Sequence, residues 1–150
     1  MPERNVAIVV FYDKEGNIIF QERGSVSKVG EKYGFWGGQR EEGETPKQTI
    51  KRELTEELGF VPEKLDYWGD CSFVIKGSKN SKYEGWLVKQ YVFLSLVSGE
   101  LTKKVNVKEG KGIVKMNINK VIKGAGFPSG ADSTRFLKEV KKQLYGNDKK

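Results

Sequence analysis

Residues 38–60, Gly-Gln-Arg-Glu-Glu-Gly-Glu-Thr-Pro-Lys-Gln-Thr-Ile-Lys-Arg-Glu-Leu-Thr-Glu-Glu-Leu-Gly-Phe, decide how the rest of this chain is read. A glycine-bearing turn leads into a helix. Thr45 suits the N-cap, Pro46 the first helical position, and Gln48 completes a capping box. Gly59 suits the left-handed position that ends a helix. The spacing therefore predicts a helix over Pro46 to Leu58. At about 100° per residue, Glu53, Glu56 and Glu57 fall within an arc of about 100°. Ile50, Leu54 and Leu58 form a neighbouring apolar stripe. The helix buries one side and points three acids from the next. Like charges three and four residues apart repel, and a hard cation such as magnesium, which takes oxygen ligands and shares them with substrate phosphates, would neutralise them.

Outward from this helix, the pattern predicts a mixed α/β chain. Asn5 to Tyr12 is apolar and β-branched, a buried strand. Asp13 to Asn17 is a turn, and Ile18 to Arg23 returns as its partner. Gly24 to Lys32 reads as a loop. Tyr33 to Trp36 is short and aromatic, and Gly37-Gly38 permits close backbone approach. Leu65 to Ile75 and Trp86 to Val97 read as an antiparallel pair of strands, with a polar loop from Lys76 to Gly85 between them. Lys111 to Met116 suggests a last strand and Asn119 to Ile122 a short helical turn. A loop over Gly124 to Gly130 follows. Ser133 to Tyr145 carries Phe136, Leu137, Val140 and Leu144 at helical spacing and is read as one amphipathic helix.

Composition bounds the function. With 150 residues, 37% of them hydrophobic and 31% charged, the chain is expected to be one globular domain over 1–150. No apolar run approaches the roughly 20 residues of a membrane span, and no signal pattern opens the chain, so a cytoplasmic protein with no membrane partner is expected. One cysteine, Cys71, allows no internal disulfide and no cysteine-based zinc site, and is read as a strand residue. The chain has no histidine. Histidine bases, Ser-His-Asp triads and histidine metal ligands are thereby excluded, and acid–base work falls to carboxylates, lysines, tyrosines or metal-bound water. The net charge of +7 suits a polyphosphate or RNA partner. Aromatics do not alternate with the late lysines as on a stacking platform, however, so a solvated basic surface is the favoured reading.

The segment 38–60 also resembles, without departure, the Nudix box: Gly38, Glu44, Arg52, Glu53, Leu54, Glu56, Glu57, Gly59 and Phe60 stand at its fixed positions. The resemblance implies an α/β/α sandwich (α+β), with a mixed sheet between helices. It also implies a Mg2+- or Mn2+-dependent hydrolase that cleaves the pyrophosphate linkage of a nucleoside di- or triphosphate derivative. By that resemblance Glu53 and Glu57 are metal ligands, and Glu56 is a further ligand or the base for the attacking water. The Gly38 carbonyl joins the metal, and Glu109 is a candidate extra ligand from a late loop. Arg52 and Glu44 orient the carboxylates. Arg23, at the end of the second strand, and Arg40, inside the box, are candidates for substrate phosphate. Phe127 and Asp132 are candidates for the base, although Asp132 also suits the N-cap of the last helix.

Gly-Glu-Thr-Pro and the preceding Lys-Tyr-Gly-Phe-Trp-Gly-Gly are most similar to the MutT-type branch, which implies hydrolysis of a canonical or oxidised nucleoside triphosphate to monophosphate and pyrophosphate. The chain lacks the four cysteines common in NADH-hydrolysing relatives and the histidine used by GDP-mannose-type ones. It also lacks the proline and the tyrosine that mark ADP-ribose and dinucleoside polyphosphate hydrolases. Those last two substrates remain as alternatives, with 5′-triphosphate RNA and a non-catalytic nucleotide sensor. A monomer or a homodimer is expected.

Overall fold

The computed structural model of the chain describes residues 2–23, 31–78, 81–97 and 112–146. Its spine is β1 (Glu3–Tyr12), in which every residue from Val6 to Phe11 is buried. A strand covered on both faces reads as a continuous apolar run, and the period of two divides it. Val6, Ile8 and Val10 point to one core, while Ala7, Val9 and Phe11 point to the other.

One edge of β1 pairs in parallel along its whole length with β6 (Leu87–Leu96), from Glu3 opposite Leu87 to Tyr12 opposite Leu96. β6 in turn pairs antiparallel with β5 (Asp66–Val74), with a bulge between Tyr67 and Gly69. The other edge is shared. Near its end β1 pairs with β2 (Asn17–Glu22) through Phe11–Ile19 and Tyr12–Ile18; earlier it pairs with β4 (Trp36–Gln39), from Val6–Gln39 to Val9–Trp36. The short β3 (Tyr33–Gly34) lies on β2, whose Ile18 to Gln21 also pair with β7 (Gly112–Asn117). The chain thus steps from β2 to β1 between β3 and β4, and the paired glycines become strand rather than loop.

Helix α1 (Pro46–Leu58) covers one face and buries Ile50, Leu54 and Leu58 against Val9, Phe11 and Trp36. Each such side chain contributes about 1.5–3 kcal/mol. The other face is covered by α2 (Ile118–Ile122), α3 (Ala131–Thr134) and α4 (Leu137–Tyr145), through Ile118, Val121, Leu137 and Val140. The result is the expected mixed sheet between helices. The C-terminal segment departs from expectation because it is two helices, not one. Thr134 Oγ1 donates to the Ile122 carbonyl at 3.0 Å and Ser133 Oγ to the Gly130 carbonyl at 3.2 Å. Side chains tied to earlier loops hold α3 in place, and the chain turns at Arg135–Phe136 before α4 begins. Asp132 accordingly lies inside α3 and caps nothing; Gly130 stands at the N-cap. Among the described residues no helix is long and apolar enough to cross a membrane.

Candidate active site

The box loop is fastened to α1 before any ligand is considered. Thr45 Oγ1 accepts from the Gln48 N–H at 3.2 Å, and Gln48 Oε1 accepts from the Thr45 N–H at 2.8 Å, closing the capping box. Glu44 then acts as the anchor of the loop. It receives the Arg52 fork, with Nε to Oε2 at 2.7 Å and Nη2 to Oε1 at 3.0 Å, together with the Glu41 N–H at 2.9 Å and the Thr49 hydroxyl at 2.8 Å. A planar guanidinium matches a carboxylate in this two-bond geometry. The Arg52 fork holds the Glu44 carboxyl at about 2, well below its ordinary 4.5. The same guanidinium reaches the Gln39 carbonyl at 3.0 Å and Glu53 Oε2 at 2.8 Å. Arg52 therefore ties loop, strand and helix together at one point.

The carboxylates of α1 meet β4 across its glycines. Glu57 is only 3% exposed, and its Oε1 accepts from the Gly37 N–H at 3.0 Å. Gly37 has φ +140°, and a Cβ there would overlap the backbone of Ala7 and Ile8; at Gly38 a Cβ would overlap the Glu53 carboxyl group. Glycine is required at position 37 for the approach of β4 to β1, and at position 38 it lets the Glu53 carboxyl group lie against β4. Glu56, on the outer side of the helix, is exposed and 3.6 Å from Arg52 Nη1.

These groups close one end of a cavity of about 300 Å³. Glu53, Glu56, Glu57, Gly37 and Gly38 line that end, and the rest of the lining sets apolar Phe73, Ile75, Val88 and Pro128 beside polar residues that include Gln90 and Ser133. Arg23 also lines the cavity, with Nε 3.3 Å from Glu31 Oε2. Three of the expected substrate residues stand elsewhere. Arg40 turns outward and donates through Nε to the Glu44 carbonyl, and does not line the cavity. Phe127 is 5% exposed, within an aromatic cluster with Phe20, Tyr33 and Phe35. Asp132 pairs with Arg135 at 3.0 Å and with Lys76 at 3.7 Å. Glu109 lies outside the described residues.

Among the cavity residues that sequence reasoning passed over are Arg4 and Gln90. Arg4 donates through Nε to Gln39 Oε1 at 3.2 Å and lies over the Tyr83 ring at 4.9 Å. Gln90 stands among apolar residues on the inner side of β6. A glutamine interrupting the alternation Val88, Gln90, Val92, Leu94 was the available signal for the second; nothing in the sequence separated Arg4 from a surface arginine.

A family model for the NUDIX domain matches residues 1–128. The chain belongs to the NUDIX family. Among curated proteins it is similar to an 8-oxo-dGTP diphosphatase of Escherichia coli strain K12, 34% identical over 73 residues that span 45% of this chain and 57% of the relative. A protein of the same description from Proteus vulgaris is 41% identical over 59 residues, 37% of this chain and 50% of the relative. The chain thus aligns with only about half the length of these curated relatives. Among solved structures, the MutT protein of Methanosarcina mazei Go1 superposes with a TM-score of 0.69 at 20% identity, covering 93% of this chain and 96% of that one. At that identity the likeness establishes the fold.

NUDIX hydrolases generally need divalent metal ions. The donors here suit such an ion in kind, since Glu53, Glu56, Glu57 and the Gly38 carbonyl are all hard oxygen ligands, and the bare Cα of Gly38 leaves Glu53 room beside the strand. Among the described residues no three acidic side chains converge as a ready-made ligand cluster; Glu53 rests on Arg52 and Glu57 on the Gly37 N–H.

Proposed function

We propose that this chain hydrolyses nucleoside triphosphates to the monophosphate and pyrophosphate, with Mg2+ or Mn2+. The observation that carries the reading is the two-ended cavity: carboxylates of α1 and the glycines of β4 close one end, and apolar side chains fit to cover a base stand toward β5 and β6 at the other. The names of the curated relatives, both 8-oxo-dGTP diphosphatases, point to the same reaction. In this reading Glu53, Glu57 and the Gly38 carbonyl hold the metal, and Glu56, the exposed one of the three acids, takes the proton from the attacking water or completes the ligand set. Glu44 and Arg52 hold these groups in register without touching substrate, and Arg23 faces the phosphates. The bound metal supplies charge neutralisation of the phosphates and a lowered pKa for water. One water adds to the α or the β phosphorus, the α–β bridging P–O bond breaks, and pyrophosphate or nucleoside monophosphate respectively departs with the electron pair. The binding of the base, the phosphates and the metal is taken to lie within the single unit of residues 1–150.

The test is incubation with Mg2+ and a panel of canonical and oxidised nucleoside triphosphates, ADP-ribose, dinucleoside polyphosphates and 5′-triphosphate RNA, with products identified by mass. Monophosphate plus pyrophosphate from a triphosphate is expected. Cleavage confined to the other substrates overturns the substrate class, and tight binding without any cleavage, with either metal, overturns the enzyme.

A further inference from the structure

We propose that Gln90 reads the hydrogen-bonding edge of the base. The proposal rests on the nucleotide reading of the cavity given above. Gln90 projects from the inner row of β6, where Val88, Val92 and Leu94 are its neighbours on the same face, and it is 5% exposed. A buried amide ordinarily fills its two donors and its acceptor with close partners. This one does not. Its Nε2 has two contacts at 3.5 Å: Cys71 Sγ, an ordinary distance for the larger sulfur atom, and the Ser133 carbonyl, longer than the roughly 2.9–3.0 Å of a well-formed N–H···O bond. No hydrogen bond to its Oε1 is formed among the described residues. Because Gln90 lines the cavity, a molecule bound there can complete the bonding of its amide. Gln90 lines the cavity whose other end is closed by Glu53 and Glu57. Its amide presents a donor and an acceptor side by side, the pattern that pairs with the edge of a base. The apolar side chains beside it, Val88, Phe73 and Ile75, cover a ring but cannot tell one base from another. On the inner row of β6 the one side chain that can tell bases apart is Gln90.

The experiment compares the wild-type chain with Gln90→Met, similar in shape but apolar, and Gln90→Glu, which keeps the shape and replaces the amide donor by a carboxyl. Two readouts are taken. One is kcat/KM across the triphosphate panel. The other is calorimetric binding of the corresponding nucleoside monophosphates, which needs no hydrolysis. The wild type is expected to favour one base. In Gln90→Met the spread between the best and worst base should narrow about tenfold, the value of a well-formed two-bond contact, through KM rather than kcat and with the circular dichroism spectrum retained. Gln90→Glu should change the rank order of the bases. If both variants fold and keep the wild-type profile in both readouts, Gln90 only supports α3 and the proposal fails while triphosphate hydrolysis stands. If the wild type binds monophosphates selectively but cleaves no triphosphate, and Gln90→Met loses that selectivity, the hydrolase reading fails and the base-reading role stands. A wild type that binds every base alike overturns the proposal directly.

Discussion

The two ends of the cavity are built by opposite strategies. The acidic end is over-determined: Glu44 alone accepts from Arg52, Glu41 and Thr49, and Arg52 also grips Gln39 and Glu53. The other end is assembled from side chains of β1, β5, β6 and the loop before α3, and its buried amide, Gln90, is held through Nε2 alone, by Cys71 Sγ and a long contact to the Ser133 carbonyl. Rigidity is concentrated where charged groups must be placed to within a fraction of an ångström for phosphoryl chemistry. Incomplete satisfaction is left where a ligand would supply the missing partner.

The sharpest way to break the comparison is at the carboxylates. Glu53→Gln and Glu57→Gln should each lower kcat by more than about a hundredfold, beyond what loss of an outer support usually costs, with the fold unchanged by circular dichroism. Wild-type turnover in either would remove the acidic end from the chemistry. Gly38→Ala should cost about a hundredfold in kcat, because the new methyl displaces the Glu53 carboxylate by roughly an ångström; steady-state kinetics beside a melting curve separates this from unfolding.

A smaller effect concerns the anchor. The Glu44 carboxyl lies at about 2 in the folded chain against 4.5 ordinarily. A lowered folded value means the contribution is present above about 4.5 and is lost as pH falls toward 2. The melting-temperature gap between wild type and Glu44→Gln should therefore close over that window, and a gap that ignores pH would show that the Arg52 fork is not what the anchor depends on.

The smallest effect belongs to the far side of the sheet. Tyr145 donates to the Asp13 carbonyl at 2.7 Å, and burial pushes its hydroxyl up to about 12. Tyr145→Phe should cost about 1 kcal/mol of stability and leave kcat alone. Because the folded value is raised, the wild-type advantage holds below pH 10 and disappears as pH rises through about 12. A matching loss of kcat would show that α4 is coupled to the chemistry after all.

The same contrast sets what could be read from the sequence. The helix from Pro46 to Leu58, its cap at Thr45 and its end at Gly59 are all as spacing predicts, because every determinant lies within a few residues. The strands were legible too, since β1 and β2 carry their burial in local pattern. The pairing of β1 with β6 was not, because a parallel pair is joined only through distant chain and leaves no turn signature. The break between α3 and α4 was hidden for a related reason: Thr134 is tied to Ile122 and Ser133 to Gly130, and helical periodicity does not register bonds to a preceding loop. For the same reason Arg40, Phe127 and Asp132 were singled out by their positions along the chain, and the structure gives their side chains partners within the protein.

The β1–β6 pairing also governs how this molecule comes into being. Glu3 finds its partner only when Leu87 has been made, and Tyr12 only when Leu96 has. Until then, the strand that is buried on both faces stays unpaired along one edge while most of the chain emerges. Contacts of such sequence separation slow folding and expose an apolar strand to association with other chains. The helix of residues 46–58 has its caps from the start, yet the glycines that Glu53 and Glu57 approach lie on β4, which rests on β1. What comes late is the cavity beside the box, because Val88 and Gln90 of its lining arrive only with β6.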